Sequence, residues 1–122
     1  MTPDPVALSA GLNQNFQLFR AEDKVLKVEM TGYDLATATE LEWWIALSPS
    51  AVDMIIGKTL TTGIVVVGTS VEITIASSDT AAIKPDIYYH ELRIKQADGT
   101  VKVAMTGNVS IRMSLNTNEV VP

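Results

Sequence analysis

His90 is the single histidine of the chain, and there is no cysteine. Structural zinc sites draw several ligands from these two residue types, and a His-Glu-x-x-His helix needs two histidines, so neither arrangement is available. A Ser-His-Asp triad would have to use His90, and no Gly-x-Ser-x-Gly elbow accompanies it. His90 falls mid-strand on the face that alternation assigns to the core, where a histidine satisfied by hydrogen bonds is the expected state. Carboxylates are the other source of acid–base chemistry. Glu40 and Glu42 share one strand face beside solvent, and Glu22-Asp23 lies in a turn, so both pairs read as solvated charge. No Asp-x-Asp spacing of a calcium loop occurs, and the seven glycines stand singly at turns instead of forming a phosphate cradle. The expectation is a non-enzymatic protein with no catalytic residue, cofactor or metal.

Composition sets wider bounds. At 122 residues the chain has the size of one domain, which buries roughly two-thirds of its unfolded surface. Hydrophobic residues make up 47% and charged residues 19%, outside the ranges of disordered and membrane-spanning chains. The start, Met-Thr-Pro-Asp-Pro, lacks a basic region and a long apolar run, so a signal peptide is not expected. Apolar runs such as Ile64–Val67 are too short to cross a bilayer. The absence of cysteine favours a reducing compartment, and the Asn108-Val109-Ser110 sequon reads as coincidental. Net charge is −5, and the nine basic residues are scattered, so neither a nucleic-acid stripe nor a membrane surface is expected.

The elements that would position these residues are strands. Asn15–Arg20 and Lys24–Met30 read as the first two, the second with Leu26, Val28 and Met30 on one face. Glu40–Leu47 alternates most cleanly: Leu41, Trp43, Ile45 and Leu47 face inward, and Glu42, Trp44 and Ala46 outward. Trp44 is thus an aromatic on a polar face, either a partly covered surface residue or an interface anchor. Val52–Leu60 fits a short strand or a helical turn, Ile64–Val67 a buried strand, and Ser70–Ile75 a strand with Val71, Ile73 and Ile75 inward. Ser77-Ser78-Asp79 caps one helical turn near residues 79–84, ended by Pro85. Pro85–Lys95 is the longest strand, with Tyr88, His90, Leu92 and Ile94 inward and Ile87, Tyr89, Glu91, Arg93 and Lys95 outward. A hairpin turn at Asp98-Gly99 returns Val101–Ser114, interrupted at Thr106-Gly107-Asn108, with Val109, Ile111 and Met113 inward. Seven or eight strands with near-regular turn signals give an all-β, immunoglobulin-like antiparallel sandwich. Its divisions are an N-terminal arm over 1–14, the sandwich over 15–115 and a polar tail over 116–122.

The order of signals also carries a resemblance. Thr31-Gly32-Tyr33-Asp34-Leu35, Gly63-Ile64, Ser78–Pro85, Tyr88–Ile94, Asp98-Gly99 and Gly107–Ile111 follow one another as a set. This set resembles the immunoglobulin-like sandwich domains of tailed-phage and prophage structural proteins, such as the N-terminal domain of baseplate upper proteins. The likeness covers about residues 15–115 and departs at Pro85-Asp86, where such domains often carry a glycine. It implies a virion component made in the bacterial cytoplasm, a tail or baseplate module that joins or decorates through contacts with other phage structural proteins and with itself. Trp44 and Tyr89 are the interface residues this reading singles out. The rival expectation is a carbohydrate- or ligand-binding sandwich that stacks its ligand on Trp44, Tyr89 and Tyr33.

Overall fold

In a computed structural model, which describes residues 6–49 and 54–113, the chain is an all-β sandwich of two sheets with one short helix. Its elements in chain order are β1 (Val6–Ser9), β2 (Phe16–Phe19), β3 (Lys24–Glu29), β4 (Glu40–Ala46), β5 (Ile56–Thr59), β6 (Ile64–Val67), β7 (Ser70–Ile75), α1 (Ser77–Thr80), β8 (Asp86–Lys95) and β9 (Val101–Arg112). One sheet has the order β1-β3-β7-β6 and the other β2-β9-β8-β4-β5. This is the immunoglobulin arrangement, in which β1, β3, β7 and β6 stand for strands A, B, E and D, and β9, β8, β4 and β5 for G, F, C and C′.

The alternating residues of β3, β4, β7 and β8 meet between the sheets. Leu26, Val28, Trp43, Ile45, Val71, Ile73, Ile75, Leu92 and Ile94 are all fully enclosed. Full burial of each such aliphatic side chain is worth about 1.5–3 kcal/mol. Tyr88 enters the same core, and its hydroxyl donates back to the carbonyl of Lys84, two residues before β8. That bond is the tyrosine corner of immunoglobulin sandwiches. His90 follows two residues later, at the position where antibody domains carry the second cysteine, and it packs against Trp43 of β4.

Several expectations change. Nine strands lie among the described residues, because Val6–Leu12, read as part of the arm, supplies β1 along β3 and then a bridge from Gly11 to Met105. The sheets are not wholly antiparallel, since β1 pairs parallel with β3 and β2 pairs parallel with β9. The helical turn begins earlier, at Ser77, because the Asp79 carboxylate accepts the Ala76 N–H at 2.8 Å and so fixes the first turn. The Thr80 hydroxyl accepts the N–H of Ala21, whose φ of 62° places it in the left-handed region, and this pins the β2–β3 turn to α1.

Alternation ends with β4 at Ala46, so Ala46 is buried and Leu47 is 65% exposed, the reverse of the expected faces. β6 is an edge strand: Ile64 alone reaches the core, while Val65, Val66 and Val67 are exposed. Met54 and Ile55 lead into a true strand, β5. β9 runs unbroken through Thr106–Asn108, and the irregularity falls instead at Leu92/Arg93, where β9 inserts Ala104 as a bulge. Met113 lies beyond the strand and is exposed. Ser114, expected to end the last strand, and the polar tail over 116–122 lie outside the described residues.

Candidate interaction surface

Antiparallel pairing of β4 with β8 sets Trp44 opposite Glu91 and Ala46 opposite Tyr89. Trp44 and Tyr89 are therefore diagonal neighbours on the outer face of the five-stranded sheet, within reach of each other as large side chains. Their rings meet at a centroid distance of 5.7 Å with planes inclined by 57°. The two residues singled out from sequence thus form one aromatic pair.

Glu91 anchors that pair. Its carboxylate lies on the outward face of β8 and is nonetheless buried. Oε1 accepts the Tyr89 hydroxyl at 2.7 Å, and Oε2 accepts the Nε–H of Arg93. Residues two apart on a strand share a face, so Tyr89, Glu91 and Arg93 form a ladder along β8. Burial, followed by the Glu91 acceptor and charge, pushes the Tyr89 phenol up to about 12. The hydrogen bond and charge of Glu91 likewise raise Arg93. At neutral pH the ring is a fixed, uncharged donor, and its orientation is set before any partner arrives.

On the other flank, Gly57 of β5 lies opposite Trp44. A Cβ at Gly57 would stand 2.6 Å from the Met54 sulfur, so a side chain there would displace the flexible thioether from its place beside Trp44. A shallow cavity of about 200 Å³ opens among Glu42, Trp44, Met54, Gly57 and Lys58. Met54 and Ile87, exposed at 56% and 63%, extend the apolar surface. The result is a rigid aromatic centre with an adaptable sulfur beside it and a charged rim.

The other residues weighed for chemistry have structural work. His90 is wholly enclosed. Indole N–H is a donor only, so His90 Nδ1 accepts the Trp43 Nε1–H at 3.1 Å, and the ring proton sits on Nε2, which donates to the Gln14 carbonyl at 2.6 Å. Burial lowers the imidazole pKa against the opposing pull of the Gln14 carbonyl. Glu40 and Glu42 stand opposite Lys95 and Arg93 across the β4–β8 pair. Glu22 accepts the Phe19 N–H and Asp23 the Ser77 N–H, so both carboxylates of that turn hold backbone. Among the described residues no cluster of His, Asp or Glu is placed to hold a metal ion.

Tyr33, the third aromatic considered for a stacking platform, packs on the core and lines a separate cavity with Gly11, Leu12 and Met105. Glu91, Met54 and Gly57 were not anticipated at the site. The Tyr-x-Glu-x-Arg spacing of Tyr89, Glu91 and Arg93 held the signal for the first, since it puts acceptor and donors on one face. Met54 and Gly57 depend on the β4–β5 register, which no local pattern encodes.

The chain matches no family model, and no curated protein matches it.

Proposed function

We propose that this chain is a non-enzymatic phage or prophage structural protein, a tail or baseplate module that joins or decorates other virion proteins through the Trp44–Tyr89 surface. The observation that carries the reading is the aromatic pair on the outside of the sheet, with Tyr89 held by a buried carboxylate. Aromatic anchors surrounded by polar residues are the usual centres of protein–protein contacts, and pre-ordering them reduces the entropy lost on association. The phage-protein resemblance across residues 15–115 supplies the setting, a virion assembled from proteins made in the bacterial cytoplasm. A carbohydrate platform wants coplanar rings; here the two planes are inclined by 57° and Tyr33 is elsewhere, which favours a protein partner.

The test is assembly in trans. Tagged wild-type chain supplied to phage particles lacking their own copy is expected to co-sediment with tails. A Trp44→Ala/Tyr89→Ala variant with an unchanged circular dichroism spectrum is expected to stay in the soluble fraction. Equal incorporation of the two would refute the docking role.

A further inference from the structure

Natural sheets blunt their edges with charge, proline, bulges or covering segments. Three of the four edges here carry such features or polar residues: β5 has Gly57 and Lys58, β2 has Gln17, and β1 ends in Ser9. β6 has none of these and is blunted only by its length of four residues. Ile64-Val65-Val66-Val67 is uncharged and regular, and it pairs only with β7 among the described residues. Val65, Val66 and Val67 are exposed at 57%, 36% and 47%.

The ladder phase tells which backbone groups this edge offers. Thr74 N–H donates to the Gly63 carbonyl, and the β6–β7 register makes Gly63 and Thr74 direct partners. Hydrogen-bonded pairs alternate along an antiparallel ladder, so Val65 and Val67 also bond inward to β7. The N–H and C=O groups of Ile64 and Val66 therefore point away from the sheet.

We propose that β6 pairs with β6 of a second copy of this chain, antiparallel, about a two-fold axis at Val65. In that register Ile64 of each copy faces Val66 of the other, and all four outward N–H and all four outward C=O groups of the two strands are used in four main-chain hydrogen bonds. Val65 meets Val65 of the partner copy at the close, non-hydrogen-bonded position. The two four-stranded sheets become one continuous sheet of eight. Charge does not oppose this occupant. No charged residue lies on β6; Glu72, beside Val65 on β7, stands opposite Lys27 on β3, and Lys58, whose side chain lies against Gly63, is ion-paired with Asp79 at 2.8 Å. The two Glu72 residues are three strand spacings apart, roughly 14 Å, beyond the ~8 Å screening length of physiological salt. The strand pairing itself therefore sets no like charges face to face, despite the net charge of −5.

The experiment is light scattering of the full chain across a concentration series, with four variants. The wild type is expected to show a monomer–dimer equilibrium. Val65→Lys sets two ammonium groups face to face on the axis and is expected to raise the dissociation constant about tenfold. Val65→Glu is expected to do the same, and an equimolar mixture of the two variants is expected to recover the dimer. Val66→Pro removes an outward N–H, which leaves the β6–β7 ladder intact, and is likewise expected to raise the dissociation constant. Trp44→Ala is expected to leave the dimer unchanged, which separates this contact from the docking surface. A wild type that stays monomeric at every concentration, or a dimer indifferent to Val65→Lys, Val65→Glu and Val66→Pro, would overturn the proposal. So would loss of dimer in the Trp44→Ala variant alone.

Discussion

Trp43 and His90 join two neighbouring strands by a polar link inside the sandwich core: the indole N–H donates to Nδ1 of the imidazole at 3.1 Å, with both residues fully enclosed. The bond fixes the tautomer. A second bond from Nε2–H to the Gln14 carbonyl then ties the segment between β1 and β2 to the centre of the five-stranded sheet. Phe16 closes the site edge-on, its ring 4.9 Å from that of His90.

This arrangement makes stability depend on pH. Protonation would put an N–H on Nδ1, directly against the Trp43 N–H, so the folded state holds His90 neutral and its pKa below the ordinary 6.5. Between the folded and unfolded pKa values the unfolded chain binds more protons, and stability falls as pH falls. The His90 contribution is whole above pH 6.5 and declines by about 1.4 kcal/mol per pH unit beneath it, levelling at the folded pKa. Urea titrations at pH 7.5, 6.5 and 5.5 (chosen to bracket the unfolded pKa) are expected to show this loss. His90→Gln, which keeps a donor and an acceptor and does not titrate, is expected to lack it.

Gly107 is required for contact, not for its backbone angles. It lies opposite His90 in the β8–β9 ladder, and a Cβ there would stand 2.4 Å from the Gln14 carbonyl oxygen. Gly107→Ala is expected to push Gln14 away from β9, breaking both its bond to Thr106 and the His90 contact. Overpacking of this kind costs about 1–3 kcal/mol. Denaturant unfolding gives the cost, and faster hydrogen exchange in residues 10–16 would locate it.

Burial first, and the Glu91 acceptor and charge second, hold the Tyr89 phenol up. Spectrophotometric titration should find one tyrosine ionising near 12, and Glu91→Gln should bring it down by removing the neighbouring charge. Because the folded pKa is raised, this interaction stabilises the fold below the ordinary tyrosine value of about 10 and is lost as pH rises through the folded value. An unshifted titration in the variant would detach Glu91 from the site.

Much of this was legible in the sequence, and what was missed has physical causes. Period-two alternation gave the inward faces of β3, β7 and β8 because each is paired on both sides, so one face must be covered. The same rule failed for Val65–Val67, where apolar type suggested burial but an edge position left only Ile64 in contact with the core. Parallel pairing of β1 and β2 joins residues far apart in the chain and leaves no local mark. At the surface, the outward direction of Trp44 and Tyr89 followed from alternation, whereas their meeting required the β4–β8 register. The burial of Glu91 follows from its bonds to Tyr89 and Arg93, against the general rule that charges stay exposed.

The docking role of the Trp44–Tyr89 surface is tested most directly by hydroxyl-radical footprinting of the chain free and within assembled tail particles. Trp44, Tyr89 and Met54 carry reactive aromatic or sulfur groups at the proposed contact, and Met113, 45% exposed beyond β9, is the reference. Strong oxidation of the first three is expected in the free chain and marked protection on assembly, with Met113 modified to the same extent in both. Equal oxidation of Trp44, Tyr89 and Met54 in the free and assembled states would contradict it.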